Sequence, residues 1–248
     1  TYSNNIIVRD LTIKSFRLNN DGIDIDSCTN VLIENNDIHT GDDAIVVKSG
    51  RDQDAWRVDR PSENIIIRNN TMRGHNALAI GSEMSGGVQT VLMYDNDLAD
   101  VKNGIYFKSN PDRGGYIKNV WVRDIHVEEA ERLLRFDTNY HAYRGEYHPT
   151  LYQNFIIENA TAHKAEKGIE AIGLDDLPIK NVLVRNFHLE NADTPLDISN
   201  VSNFIFEDVK INGIQIEPYF SSVDIEGDMV VGNTVEGVYD YIGGKESE

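Results

Sequence analysis

Three carboxylates, Asp21, Asp42 and Asp43, are spaced in a way that predicts a single acidic site. Each group of acids is followed by a small residue and then by an alternating apolar strand, and this arrangement occurs twice, 22 residues apart (43 − 21). If the chain coils once in that interval, the acids lie side by side on neighbouring turns. Clustered acids repel one another, so we expect a function to use them.

Paired carboxylates beside a space for a sugar can hydrolyse a glycosidic bond. One acid must donate a proton to the leaving oxygen, and a second must activate water on the other face of the ring. Mutual repulsion raises the pKa of at least one of the three acids and keeps it protonated as the donor.

The elements that position these acids follow from an internal repeat. Each copy is a short β-branched or aromatic run bounded by Asn or Asp, which is typical of a strand, and most copies are followed by a second short strand. Eight copies begin at Asn5, Asn30, Asn64, Thr90, Asn119, Asn154, Asn181 and Asn203. The repeat predicts an all-β fold, a right-handed parallel β-helix of about eight coils, with rungs roughly 4.8 Å apart.

The first residue of each copy, usually Asn, has two interpretations: an amide ladder from coil to coil, or simple turn formation. Two long intervals, 50–63 and 139–150, hold Arg and aromatic residues. They are either walls of a groove or ordinary solvated loops. The β-helix is expected over residues 1–216, with N-terminal coils or a cap missing, and residues 217–248 are expected to be a C-terminal cap or tail.

Composition excludes several function classes. The formal net charge of the 248 residues is −18, which argues against nucleic acid as a partner because phosphate binding needs a basic surface. No run of 18 apolar residues is present, so we expect no membrane span. Cys28 is the single cysteine, which precludes an internal disulfide. The oligomeric state is left open.

Alternation along the second strands predicts which side chains surround the acids. The outward positions nearest to them carry His75, Tyr106, Lys48, Lys108 and Arg135. The cations could hold carboxylates of an acidic substrate. In the two long intervals, Trp56 and Tyr140 are either platforms for a sugar or plain loop packing.

Four short stretches resemble, in order, the motifs of the polygalacturonase family, glycoside hydrolase family 28. The family motifs are Asn-Thr-Asp-Gly, Gly-Asp-Asp, Gly-His-Gly and Arg-Ile-Lys. Here they read Asn19-Asn20-Asp21-Gly22, Gly41-Asp42-Asp43, Gly74-His75-Asn76 and Tyr106-Phe107-Lys108. Residues 48–52 and 80–87 further resemble bacterial exo-acting members.

The resemblance implies an inverting hydrolase that releases α-linked galacturonic acid from pectin chains, with no metal and no cofactor. It makes Asp42 the general acid, with Asp21 and Asp43 holding and activating the water, and His75 tuning the acid. Lys108 is then expected to bind a substrate carboxylate, and Tyr140 to contact the substrate. Substrate binding is also expected at Tyr106, Asn19, Lys48, Arg135 and Trp56.

The main departure from the family pattern is Tyr106, which stands where the family has Arg and so removes a fixed cation. Either Arg135 or Arg113 substitutes for it, or one subsite takes a rhamnose or a neutral sugar, as in a rhamnogalacturonan-active hydrolase. The milder departures are Asn20 for Thr and Asn76 for Gly.

Two other function classes remain open. A pectate lyase-like β-helix would use clustered acids to hold Ca²⁺, the candidates being Asp21, Asp24, Asp26, Asp42 and Asp43. A non-catalytic glycan-binding β-helix would bind without turnover. A polymeric substrate implies an extracellular or periplasmic location.

Overall fold

The computed structural model describes residues 1–141, 145–216 and 219–220. These residues form strands and one short helix. In chain order, the elements are β1 (Asn4–Arg9), β2 (Thr12–Ser15), β3 (Ile23–Asp26), β4 (Thr29–Glu34), β5 (Asp37–Lys48), α1 (Asp52–Val58), β6 (Ser62–Arg68), β7 (Thr71–Ile80), β8 (Val88–Lys108), β9 (Tyr116–Asp137), β10 (Leu151–Ile172), β11 (Ile179–Ser199), β12 (Val201–Ile211), β13 (Ile214–Gln215) and β14 (Tyr219–Phe220).

The copies of the repeat stack in register, and the predicted right-handed parallel β-helix is confirmed. Strands β1, β4, β6, β8, β9, β10, β11 and β12 are successive parallel neighbours. One inward row shows the register: Val8, Ile33, Ile67, Met93, Val122, Ile157, Val184 and Phe206. Burying each such side chain contributes about 1.5–3 kcal/mol.

The asparagine that opens seven of the eight copies, all but the copy at Thr90, forms both structures that the sequence suggested. Asn30 donates from Nδ2 to Oδ1 of Asn5 at 3.0 Å, and Asn64 donates to Asn30 at 3.2 Å. The same bond recurs at 3.0 Å through Asn119, Asn154, Asn181 and Asn203. These residues also have φ between 55° and 62°, the left-handed region that Asn tolerates better than most residues. One side chain therefore serves both the turn and the ladder.

The second strand of each coil forms the face that carries the site. Here β3, β5, β7 and then the second halves of β8, β9, β10 and β11 follow one another as parallel neighbours. An inward row of Ile and Leu is fully buried: Ile45, Leu78, Ile105, Leu134 and Ile169. The neighbouring outward row is Val46, Ala79, Tyr106, Arg135 and Glu170.

The first long interval contains a short helix, α1, where the sequence indicated only a wall or a loop. It ends at Val58, and the next residue, Asp59, adopts the left-handed conformation with φ 48°. The ring of Trp56 packs edge-on against His148 of the second interval, 4.5 Å between centroids, and its indole N–H donates to the carbonyl of Arg113 at 3.1 Å. The two intervals therefore meet and form one wall; residues 142–144 lie outside the described part.

The C-terminal prediction falls largely outside the described residues. Within 217–248 only β14 is described, and it pairs antiparallel with β12. The boundary at residue 216 stays a prediction. The described helix, α1, is too short to cross a membrane.

Candidate active site

The three predicted acids meet at one place on the solenoid. Asp21 lies just before β3, and Asp42 and Asp43 lie within β5. Each offers one carboxylate oxygen, and these oxygens all lie within 4.8 Å of one another. Oxygens at that spacing can share one water molecule, because a hydrogen bond to each is about 2.8 Å long. The predicted convergence on neighbouring coils is therefore what the structure shows.

Two glycines of the motifs allow the local backbone to turn the acids outward. The register between β5 and β7 shifts between Thr40 and Asp43, which is a bulge that re-aims side chains. A Cβ on Gly41 would lie 2.4 Å from the carbonyl oxygen of Arg17. A Cβ on Gly74, whose φ is +112°, would lie 2.0 Å from that of Thr40. Neither position has room for a side chain.

Asp43 is enclosed by polar groups. Lys108 donates from Nζ to both of its carboxylate oxygens, at 2.9 and 2.8 Å. Asn76 donates from Nδ2 to Oδ1 at 2.6 Å, and Asn103 in turn donates to Asn76 at 2.6 Å. All four side chains are buried. Lys108 was predicted to bind a substrate carboxylate, and in the structure its ammonium group binds the carboxylate of Asp43.

Asp42 is the acid most suited to remain protonated. Burial raises the pKa of its carboxyl group, and the negative charge of Asp43 raises it further, while Lys108 opposes the shift. His75 lies beside it, with Nδ1 3.6 Å from Oδ1 of Asp42. That nitrogen is buried and has no hydrogen-bond partner among the described residues. The arrangement fits a proton donor with an adjacent imidazole.

Asp21 has a different cation. Lys48 donates to its Oδ2 at 2.9 Å and also pairs with Asp24 at 3.0 Å. Asn19, the first residue of that motif, is exposed in the preceding turn with φ 56°. Lys48, like Lys108, was predicted to bind substrate and is already engaged by protein carboxylates.

Tyr106 and Arg135 form one unit on the next coils. The guanidinium of Arg135 lies 4.8 Å from the centre of the Tyr106 ring and donates to its hydroxyl at 2.9 Å. That hydroxyl donates to Asp137 at 3.0 Å. Arg135 also pairs with Asp137 at 2.9 Å and with Glu170 at 2.5 Å.

A guanidinium is therefore present near the position where the family has Arg, supplied from the following coil by Arg135. Three of its nitrogens make the bonds described, and two N–H groups remain to donate. Arg113, the other proposed substitute, is buried and pairs with Asp52 of α1 at 2.8 Å. Of the two, the structure places Arg135 in the site.

The two predicted aromatic platforms lie in different places. Tyr140 lies in the site: its ring is 6.2 Å from that of Tyr106, and Nζ of Lys108 is 5.3 Å from its centre. Trp56 lies in the wall, where its described partners are His148 and the backbone at Arg113. Beside His75, a groove of about 690 Å³ continues along the axis, past Gly41, Val101 and Ala130.

Sequence reasoning missed four polar residues of the site: Asn76, which donates to Asp43, Asn103, which donates to Asn76, and Asp137 and Glu170, which pair with Arg135. A signal existed for two of them, because Asp43, Asn76 and Asn103 occupy one register row. No sequence signal pointed to Asp137 and Glu170, because their role depends on the orientation of the Arg135 side chain, with which both pair.

The sequence also makes the same acids candidate ligands for Ca²⁺. Geometry alone permits an ion between Asp21, Asp42 and Asp43. However, ammonium groups already bind two of the three, which lowers the negative charge available to a cation. Asp24 pairs with Lys48, and Asp26 accepts bonds from Ser27 and from the backbone of Gly50. The chemistry of this donor set fits acid–base work better than calcium.

Comparison with known proteins assigns the family. The model of glycosyl hydrolases family 28 matches residues 1–205. The chain belongs to that family. Among family relatives, a probable polygalacturonase of Vitis vinifera is 32% identical over 196 residues, which are 74% of this chain and 40% of that protein. An exo-poly-alpha-D-galacturonosidase of Dickeya chrysanthemi is 25% identical over 226 residues, 86% of this chain and 37% of that protein.

Solved structures agree with the family 28 assignment. The exopolygalacturonase of Thermotoga maritima has a TM-score of 0.83 and 32% identity, covering 87% of this chain and 49% of that one. The polygalacturonase of Erwinia carotovora, at 22% identity and a TM-score of 0.57, supports the fold alone. The chain therefore spans less than half the length of these two relatives, 40% of the Vitis vinifera protein and 37% of the Dickeya chrysanthemi protein.

Proposed function

We propose that this chain hydrolyses α-linked galacturonic acid residues in pectin and releases them from chain ends, as an exopolygalacturonase does. The observation that carries the proposal is the meeting of three carboxylates within 4.8 Å in a member of family 28. The names of its relatives, polygalacturonase and exo-poly-alpha-D-galacturonosidase, support the same substrate class.

In the proposed reaction Asp42 is the general acid, and Asp21 and Asp43 hold and activate the water for a single inverting displacement. The raised pKa of Asp42 supports its role as donor, since a proton must be present at the working pH. Inverting enzymes commonly separate their carboxyl groups by about 6.5–9.5 Å, so this cluster is compact. The anomeric configuration of the product tests the inverting displacement directly.

Recognition of the uronate carboxylate is assigned to Arg135, with Tyr140 on the far side of the Tyr106–Lys108 contact as a further substrate contact. Arg135 retains two N–H groups, and its bonds to Tyr106, Asp137 and Glu170 hold its guanidinium in place. Lys48 pairs with two protein carboxylates, which leaves one of its three N–H groups for a sugar. A polymeric substrate implies that the protein works outside the cytoplasm, in the extracellular space or the periplasm, which fractionation of the native host would test.

The test is product analysis on a panel of defined pectic oligosaccharides, following the anomer by NMR as it forms. We expect galacturonic acid released from one end, with the configuration inverted. A retained anomer would overturn the mechanism and leave the substrate assignment standing. An unsaturated product absorbing in the ultraviolet, with sensitivity to chelators, would replace hydrolysis by elimination. Binding without turnover, unaffected by Asp42→Asn, would identify a glycan-binding protein.

A second candidate is hydrolysis of rhamnogalacturonan. It is favoured by one observation: Arg135 is shared with Asp137 and Glu170, so this subsite has less free positive charge than a dedicated cation would supply. A neutral sugar such as rhamnose needs less positive charge in its subsite than a uronate does. The same panel, extended to rhamnogalacturonan oligosaccharides, distinguishes the two by their relative kcat/KM.

A further inference from the structure

We propose that Asp43 is a positioning residue and that Asp21 alone takes the proton from the attacking water. The inference rests on the proposed function and refines how the site divides its work. It concerns the roles of two carboxylates that sequence and family resemblance treat as equivalent.

The first observation is that Asp43 has little capacity left for water. Its Oδ1 accepts bonds from both Lys108 and Asn76, and its Oδ2 accepts a further bond from Lys108. A carboxylate oxygen has two lone pairs, so Oδ1 is fully used and Oδ2 has one left. The side chain is 3% exposed, against 17% for Asp21 and 24% for Asp42.

The second observation is that the groups around Asp43 are themselves held in place. Nζ of Lys108 lies beside two rings, 5.4 Å from the centre of Tyr106 and 5.3 Å from that of Tyr140, close enough for cation–π attraction. Asn76 accepts a bond from Asn103 on the next coil. Asp43 is therefore locked between a buried ammonium group and a buried amide.

The third observation concerns where the chain departs from its family motifs. Asn76 stands in place of Gly and Tyr106 in place of Arg. Asn76 contacts Asp43 directly, and Tyr106 lies against the lysine that binds it. Two of the three departures thus lie in the enclosure of the same carboxylate, while the third, Asn20 for Thr, donates to Ser15.

Asp43 still serves the reaction through its charge. Burial is the largest cause of the raised pKa of Asp42, and the charge of Asp43 is the next. The other charged groups facing Asp42 are Lys108, Asp21 and His75. A carboxylate fixed beside the proton donor keeps that donor protonated. Enclosure suits this role because it holds the negative charge of Asp43 at a constant distance from Asp42.

The step balances without Asp43 gaining or losing a proton. Water forms a bond to the anomeric carbon through its oxygen, and Asp21 takes one water proton. The bond from the anomeric carbon to the glycosidic oxygen breaks, with its electron pair leaving on that oxygen. Asp42 supplies the proton that neutralises it.

The experiment compares Asp21→Ala with Asp43→Asn in the full chain, using trigalacturonate and pH profiles of kcat. Asp21→Ala should lose about a thousandfold in kcat, and added azide should restore turnover as a glycosyl azide, because azide attacks without a base. The acidic limb of the profile reports deprotonation of the base, Asp21, and Asp43→Asn should keep it. The alkaline limb reports loss of the proton from the acid, Asp42, and it should move about one pH unit lower because Asp42 loses its negative neighbour.

A second variant covers the case in which Asp43→Asn unfolds because Lys108 is left unpaired. The double variant Asp43→Asn with Lys108→Met removes both charges of the buried pair, which is commonly tolerated better than breaking it. It should likewise keep the acidic limb. Loss of that limb in either Asp43 variant, or azide rescue of Asp43→Ala equal to that of Asp21→Ala, would overturn the inference alone. Absence of turnover in the unmodified chain would instead overturn the proposed function.

Discussion

The interior row Asn36, Asn70 and Asn96 and the site pair Asn76 and Asn103 are built from the same buried side chain, stacked coil on coil. In the interior row, each amide oxygen accepts a backbone N–H from the coil before it, at 3.0 to 3.1 Å. In the site pair, the chain of amides ends on a carboxylate, Asp43.

The two rows differ in which hydrogen-bonding groups they leave without a partner among the described residues. Asn70 donates to Asn96 and to two backbone carbonyls, so its hydrogen-bonding capacity is used within the solenoid. The Oδ1 atom of Asn103 is buried and has no hydrogen-bond partner among the described residues. A repeat stabilises the fold when the row continues, and it creates a functional site where a charged group interrupts the row.

The largest effect is expected at the site, where Asp42→Asn should lower kcat about a thousandfold because the variant cannot protonate the leaving oxygen. The midpoint of thermal unfolding should change little, since Asp42 is partly exposed. Release of reducing sugar measures the first, and circular dichroism the second. Asp54→Asn in α1, where the side chain is 93% exposed, is the control and should keep full activity. Unchanged turnover in Asp42→Asn would refute its role as acid.

The interior row should respond in stability and not in rate. Asn70→Ala removes the acceptor for the backbone N–H of Asn36 and should lower the free energy of unfolding by about 2–4 kcal/mol. Urea denaturation measures this, and kcat per folded molecule should stay the same. Asn186→Gly breaks an exposed amide contact with Asn159, keeps the left-handed φ of 47° without strain, and should cost less than about 1 kcal/mol. Equal losses in both variants would show that burial of the row does not matter.

The site pair should respond in both quantities. Asn76→Ala removes a hydrogen bond to a charged carboxylate, and we expect about 1.5–3 kcal/mol less stability and about tenfold lower kcat. The rate effect, measured under conditions where the variant is fully folded, separates Asn76 from Asn70. A loss of stability with kcat unchanged would place Asn76 with the structural row.

The smallest effect is expected at Arg135, which we assign to binding and not to chemistry. Arg135→Gln should raise KM for trigalacturonate about three- to tenfold, with kcat nearly unchanged, because a shared guanidinium contributes modestly. The methyl-esterified substrate should be affected less. Arg185→Gln, on the other strand row and paired with Glu158, is the matched control. An equal KM change for both esterified and free substrates would remove Arg135 from carboxylate recognition.

Much of this fold follows from local signals. The phrase that opens with Asn5 and recurs to Asn203 predicted the β-helix, because β-branched runs favour strands and Asn tolerates the positive φ of the corners. The 22-residue spacing of the acids predicted that Asp21 would meet Asp42 and Asp43, since that spacing corresponds to one coil. Helix α1 was not predicted, because a seven-residue segment in a long interval carries no clear periodicity.

The sequence could not predict which carboxylate each charged side chain pairs with. It indicated that Lys48, Lys108 and Arg135 would lie near the acids, and it suggested that they face the substrate. In the structure each of them is paired with a protein carboxylate. Which acid a long cation reaches depends on side-chain conformations across two or three coils, and no local pattern records them.

The sequence by itself determined the solenoid, its corners and the meeting of three acids, because strand period and turn conformation are set by neighbouring residues along the chain. Tertiary structure alone decided that Asp43 is enclosed while Asp21 and Asp42 stay open. The enclosure needs Lys108 and Asn76 from two other coils, and Tyr140 against that lysine. Burial is a property of the assembled stack, and it makes chemically identical residues unequal.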